Sequence, residues 1–188
     1  MAESGRQVAR ITSIVDHLRT FGRREETEMA EVNLADVLES TLLLLGERMR
    51  SRNIELERSD SSDLPPVWGN ASQLEQVYIN LFQNSIDALA NIEQGKITVD
   101  IHASLDRSRV IVEFSDNGVG IPPAYVEKVF EPFFTTKQEG EGTGLGLSIV
   151  YGIIMDHHGT IECESKDTRG TTITLNLPVM DPESKAGS

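Results

Sequence analysis

Three polar residues interrupt an otherwise apolar stretch. In ASQLEQVYINLFQNSIDALA (Ala71 to Ala90), Asn80, Asn84 and Asp87 follow one another at spacings of four and three. On a helix those spacings bring all three onto one face. Leu74, Val77, Ile79, Leu81, Phe82, Ile86 and Leu89 make the same helix largely buried, so the polar stripe must be satisfied by something. One solution is a hydrogen-bond network to a loop. The other is a cation with a phosphate group. The Asn side chain offers a hard, neutral carbonyl oxygen, which suits a Mg²⁺ ion that keeps water and phosphate ligands.

A second cluster is SDNGVGI, Ser115 to Ile121. Asp116 ends an alternating, strand-like run, and Gly118 and Gly120 permit a tight turn. The segment reads either as a turn alone or as a turn that presents a buried acceptor. A buried carboxylate there accepts from an exocyclic amine, which adenine has and guanine replaces with a carbonyl. The third cluster is GTGLGLSIV, Gly142 to Val150. It is neither a Walker loop, which needs Lys and Ser or Thr after the last glycine, nor a dinucleotide fingerprint, which needs a preceding strand. It still brings backbone close to something at the start of an apolar helix.

The elements that must hold these clusters follow from periodicity. Asn33 is a good N-cap for a helix from Leu34 to about Arg50. Asn53 to Ser59 alternates as a strand, and Ser59 to Asn70 reads as a loop with two prolines. The Asn-bearing helix spans Ala71 to about Ala90. Strands are expected at Lys96 to Ala103 and Arg109 to Ser115, and a short helix at Ala124 to Phe130. Glu131 to Thr143 is a polar, glycine-bearing loop. A helix from about Gly146 to His157 ends at Gly159, and strands Thr160 to Glu164 and Thr171 to Leu177 follow. This mixed order predicts an α+β fold, a two-layer sandwich with helices on one face of a mixed sheet. At the other end, Val8, Ile11, Val15 and Leu18 form about two heptads of an a/d seam. That helix either seeks a partner helix or packs on its own domain.

Composition limits the functions that fit. A net charge of −13 argues against nucleic-acid binding. The longest apolar runs, LLLL (Leu42 to Leu45) and IVYGIIM (Ile149 to Met155), fall far short of the ~18 residues of a membrane span. Cys163 is the single cysteine, so there is no disulfide framework and a reducing compartment is expected. A cytoplasmic location follows, with the intact parent protein free to be membrane-anchored.

Taken in order, Asn80-x-x-x-Asn84, DNGVG, FEPFFTTK (Phe130 to Lys137) and GTGLGLS resemble the histidine-kinase branch of the ATPase superfamily shared by gyrase, heat-shock chaperones and mismatch-repair proteins. The resemblance implies a Bergerat-type ATP-binding fold with a lid over the nucleotide. It puts Asn84 on Mg²⁺, Asn80 beside the phosphates and Asp87 behind them. Asp116 would hold the adenine amine, with Gly118, Gly120 and Ile121 shaping its pocket and Thr172 reaching adenine through water. Gly142, Thr143, Gly144, Leu145 and Gly146 would pass by the phosphates at the positive end of a helix. Lys137 would be a phosphate contact, unless it is a solvated lysine, and Phe130, Phe133 and Phe134 would anchor the lid.

Hydrolysing relatives carry a Glu where this chain has Asn80. An amide cannot take a proton from water at neutral pH, which favours a kinase over a hydrolase. Arg10 to Arg23 resembles the second helix of a dimerisation and phosphoacceptor domain. The implied organisation is residues 1–31 as part of that domain, 32–179 as the catalytic ATP-binding domain and 180–188 as a polar tail. The expected activity is ATP-dependent protein histidine phosphorylation for relay to a response regulator, in a homodimer. None of His17, His102, His157 and His158 matches the family's acceptor pattern. The chain alone is therefore expected not to phosphorylate itself. Two alternatives stay open: a serine protein kinase of the anti-sigma type on the same fold, and a non-catalytic nucleotide-sensing dimeric module.

Overall fold

The computed structural model describes residues 28–61, 63–137, 142–165 and 169–179. The expected N-terminal helix, the centre of the polar loop and the C-terminal tail lie outside these residues.

The described residues begin with strand β1 (Ala30–Val32) and helix α1 (Leu34–Ser51), and continue through β2 (Glu55–Asp60) and β3 (Val67–Gly69) to helix α2 (Ala71–Ala88), then β4 (Lys96–Ala103) and β5 (Arg109–Asp116). A 3₁₀ segment, Pro123–Lys128, precedes helix α3 (Gly146–Asp156), and β6 (Thr160–Ser165) and β7 (Thr171–Pro178) follow it. Both long helices start where an asparagine caps them. Asn33 Oδ1 accepts from the Ala35 N–H at 2.9 Å, and Asn70 Oδ1 accepts from the Gln73 N–H at 3.1 Å.

Five strands form one sheet in the order β2-β4-β5-β7-β6. Only β2 and β4 run parallel, and the other pairs are antiparallel. Alternation gives the sheet one apolar face: Ile97, Val99 and Ile101 from β4, Val110, Val112 and Phe114 from β5, and Ile173, Leu175 and Leu177 from β7 are all buried. The helices cover that face with Leu38, Leu74, Tyr78, Phe82, Ile86 and Ile154. The result is the two-layer α+β sandwich expected. The Phe82 ring meets Phe114 edge-on, 4.8 Å between centroids at 85°. That contact ties α2 to the end of β5, so the two polar clusters are held by one core.

Four details differ from the sequence expectation. The segment read as loop contains β3, which pairs antiparallel with β1 through Ala30↔Gly69 and Val32↔Val67. Three-residue strands carry too little alternation to be seen. This pairing joins Ala30 and Glu31 to Gly69 and Trp68, so the boundary expected after residue 31 falls within β1. The strand expected from Asn53 begins at Glu55, because Asn53 takes a left-handed turn (φ 52°) that ends α1. At the end of α3 the left-handed residue is His158 (φ 56°), not Gly159. Gly159 is small because its backbone lies against β7: an added Cβ would stand 2.7 Å from the Asn176 carbonyl oxygen.

Candidate nucleotide site

A cavity of about 700 Å³ opens between α2, the end of β5 and the stretches 129–137 and 142–147. That is ample for a nucleotide-sized ligand. Its two ends have opposite chemistry.

One end is an acceptor. Asp116 leaves β5 pointing into the cavity, with Oδ2 accepting from the Ser85 hydroxyl at 2.7 Å and Oδ1 from the Gly118 N–H at 2.9 Å. Burial raises the Asp116 pKa above the ordinary carboxylate value, opposed by those two hydrogen bonds. The end of β5 is clamped from the neighbouring hairpin as well. Gly170 has φ 86°, and an added Cβ would fall 1.9 Å from the Asp116 carbonyl oxygen. Ser165 Oγ donates to the Gly170 carbonyl at 2.8 Å and accepts from the Ile121 N–H at 2.8 Å, so Ile121 is fixed at the rim. Cys163, on β6, is chemically quiet: burial, with the charges of Asp116 and Glu164, pushes its thiol up to about 11.

The other end is a donor. Leu145 precedes α3 without any side-chain cap, so the first amides of that helix are unclaimed by a cap and carry the positive end of its dipole. Asn80 and Asn84 face this helix start. A Cβ on Gly146 would stand 3.6 Å from Asn80 Oδ1 and 3.5 Å from Asn84 Nδ2. The Asn80 residue is only 8% exposed, yet its side-chain Nδ2 is buried with no partner. A buried donor left unmade costs about 1–3 kcal/mol, so a ligand oxygen is the natural complement. The helix–loop network weighed from sequence does not satisfy it. Asp87 is occupied: it accepts from Lys137 Nζ at 2.7 Å and from Gln83 Nε2 at 2.9 Å, and Arg48 in turn bonds Gln83. Lys137 thus lines the cavity as part of a polar chain, rather than standing free in solvent.

The glycines divide by role. Gly144, at φ 67°, lies so close to the Phe133 backbone that a Cβ would meet its carbonyl carbon at 2.4 Å. The Phe133 N–H donates to the Gly144 carbonyl at 2.8 Å, closing the base of the polar loop. Gly142 packs beside Thr135, and Gly146 clears space between α3 and the asparagines.

Several residues named from sequence stand elsewhere. Thr172 is directed to the opposite face of the sheet, where its hydroxyl bonds that of Ser115 at 2.8 Å. Thr171, one position earlier, lines the cavity instead. Alternation explains the slip: a shift of one residue along β7 changes the face. Gly118 and Leu145 add no cavity surface. Gly118 supports Asp116 from behind, while Leu145 packs on the core. Phe133 is 71% exposed and holds the loop through its backbone. Phe130 meets Tyr151 at a tilt, 5.8 Å between centroids, whereas Phe134 meets Tyr125 at 5.6 Å and does line the cavity. Ser85, Thr171, Ser165 and Gly170 were not singled out from sequence. Their partners lie far away in the chain, and no local spacing marks them.

Comparison with known proteins agrees with this geometry. The family described as histidine kinase-, DNA gyrase B- and HSP90-like ATPase matches residues 69–181. The sensor kinase CckA of Brucella abortus (strain 2308) is 40% identical over 190 residues, covering 94% of this chain and 20% of its own length. The two-component sensor PprA of Pseudomonas aeruginosa is also covered over 20% of its length, so the chain spans about a fifth of these relatives. The solved catalytic domain of histidine kinase ThkA superimposes with a TM-score of 0.71 at 35% identity, over 81% of this chain and 96% of that one. ThkA in complex with the response regulator protein TrrA gives a TM-score of 0.75 at 31% identity, over 93% of this chain and 48% of that one. This chain belongs to the histidine kinase-, DNA gyrase B- and HSP90-like ATPase family, in its branch of histidine-kinase catalytic domains.

Proposed function

We propose that the chain is the ATP-binding, phosphoryl-donating part of a two-component sensor histidine kinase. The observation that carries this is the polarity of the cavity: a half-buried carboxylate at one end, and an uncapped helix N-terminus facing an unpartnered asparagine amide at the other. Asp116 would accept from the adenine amine, with Thr171 and Ile121 beside it. The α3 amides, Asn80 Nδ2 and Lys137 would receive phosphate oxygens. The donor set also fits a hard cation, because Asn84 presents an amide beside the phosphate end. Asn84 would hold Mg²⁺, whose contribution when bound is to neutralise phosphate charge.

The chain's own residues would orient the nucleotide and withhold water chemistry. Phosphoryl transfer depends chiefly on positioning and charge neutralisation. Asn80 has no lone pair basic enough to deprotonate water, so the γ-phosphoryl group would be kept for a histidine of a dimerisation domain and then for a response regulator. ThkA was solved with such a regulator, which supports this partner class here. A homodimer through the N-terminal helices fits the a/d seam. No helix among the described residues is long and apolar enough to cross a membrane. A cytoplasmic catalytic part belongs to this proposal because its proposed partner is a response regulator, whether or not its parent is anchored.

Calorimetric titration of Asn84→Ala should show much weaker Mg·ATP binding with the fold intact. Labelled ATP should then transfer phosphate through the wild-type chain to an added acceptor helix hairpin, as an acid-labile product. Unchanged affinity in Asn84→Ala would overturn the metal role. An acid-stable product would favour the serine-kinase reading, and binding without transfer would favour a non-catalytic module.

A further inference from the structure

The face of the sheet turned away from the helices carries a second cluster of ligand-type side chains. Asp100 and His102 stand two apart on β4 and so point the same way. Glu113 on β5 lies directly opposite Asp100 in the antiparallel register. One ligand atom from each of the three lies within 4.8 Å of the others.

Two observations separate this group from an ordinary charged surface. First, Asp100 and Glu113 place like charges face to face, an arrangement that is destabilising in sheets. Elsewhere on this face Glu57 is neutralised by Lys96 at 2.5 Å. Among the described residues, neither Asp100 nor Glu113 has a lysine or arginine partner, and His102 alone stands beside the pair. Second, His102 Nδ1 is 3.9 Å from Asp100 Oδ1. That is too long for a hydrogen bond. It is close to the separation of two atoms bound to one metal, since ligands at about 2.1 Å in a tetrahedron stand roughly 3.4 Å apart. Small side-chain rotations close the difference, because all three side chains are partly solvent-exposed.

We propose that Asp100, His102 and Glu113 form a binding site for a borderline divalent transition-metal ion of the Zn²⁺ type, with water completing the shell. One imidazole with two carboxylates is a nitrogen–oxygen set suited to such ions. An all-oxygen set would have pointed to Mg²⁺ or Ca²⁺. Bound there, the ion removes the repulsion between Asp100 and Glu113 and staples β4 to β5. It does so three residues before Asp116, on the face opposite the nucleotide cavity. The site is independent of the proposed kinase function.

The test is titration of the nucleotide-free full chain with ZnCl₂ in magnesium-free buffer, followed by calorimetry. The wild type should bind Zn²⁺ saturably, with a one-to-one event that His102→Ala and Glu113→Gln each weaken at least tenfold. Cys163→Ser should leave that event unchanged, and circular dichroism should show every variant folded. Absence of saturable binding would overturn the proposal. So would a Zn²⁺ affinity that survives both His102→Ala and Glu113→Gln, or one abolished by Cys163→Ser.

Discussion

Asp116→Asn separates what this carboxylate does for binding from what it does for folding. In the wild type both carboxylate oxygens are engaged, with Ser85 at 2.7 Å and Gly118 at 2.9 Å, inside a partly desolvated cavity. The amide is nearly isosteric but can offer only one acceptor, and its NH₂ must face a donor or the ligand's own amine. A hydrogen bond to a charged group contributes about 1.5–3 kcal/mol. ATP affinity should therefore fall by roughly 10- to 150-fold, at about 1.4 kcal/mol per tenfold. Stability should move little, or in the opposite direction. Burial raises the folded-state pKa of Asp116, so the ionised form is penalised in the native state. The stability linked to this group is present at low pH and lost as pH rises through that raised folded pKa. The neutral amide escapes that loss, so Asp116→Asn should gain on the wild type in urea midpoint as pH rises from the acid range to neutrality. ATP binding by the wild type should weaken as pH falls through the same interval, because the proton occupies an acceptor. Calorimetric titration with Mg·ATP and urea melts across pH would read both quantities. An affinity within twofold of wild type, with GTP competing as well as ATP, would refute the assignment of Asp116 as the base-reading group.

Gly170→Ala should destabilise the fold by about 2 kcal/mol or more, since it combines a left-handed φ with a Cβ 1.9 Å from the Asp116 carbonyl oxygen; an unchanged denaturation midpoint would remove the proposed clamp on β5. Thr171→Val should weaken Mg·ATP binding several-fold while Thr172→Val leaves it unaltered, and the reverse order in a titration would show the β7 register to be misread. Phosphohistidine mapping after incubation with labelled ATP and Mg²⁺ should find His102, His157 and His158 unmodified.

How far the sequence could be read depended on the range of the interaction. The stripe Asn80, Asn84 and Asp87 was legible because a helix repeats locally, and its apolar companions announced that it would be buried. Asp116 was legible because alternation stops there and glycines follow. The reasons these two clusters meet were not legible. Phe82 against Phe114 and Ser85 against Asp116 join residues about thirty apart, and nothing local to either partner requires the other. Thr172 shows the limit most clearly. The strand was placed, but a face assignment needs a register, and register comes from the hydrogen-bonded pairing Ser115↔Thr172 and Asp116↔Thr171. The glycine-rich segment was legible as close-approach backbone. What it approaches turned out, at Gly144, to be the protein's own Phe133.

The histidine prediction rests on geometry that sequence spacing only hinted at. His157 follows α3, whose eleven residues rise about 16 Å from the start proposed to receive phosphate. It is also fully committed: Nε2 accepts from the Asn70 N–H at 3.0 Å, and Nδ1 sits 2.7 Å from the Ile153 carbonyl oxygen. The carbonyl requires the proton on Nδ1, which leaves Nε2 as acceptor and no free nitrogen to attack phosphorus. His158 lies one residue further from the cavity. His102 is on the far face of the sheet, so the thickness of the sheet lies between it and the α3 N-terminus. Of the four histidines only His17 remains, outside the described residues and followed by Leu18 rather than an acid that could orient its ring. Incubation with labelled ATP and Mg²⁺ should accordingly leave the chain without acid-labile phosphate, and an added acceptor hairpin should become labelled. Robust labelling abolished by His17→Gln would make the N-terminal segment an acceptor helix. Labelling of His157 would mean that the α3 C-terminus opens under assay conditions, which would contradict the hydrogen bonds that hold it to Asn70.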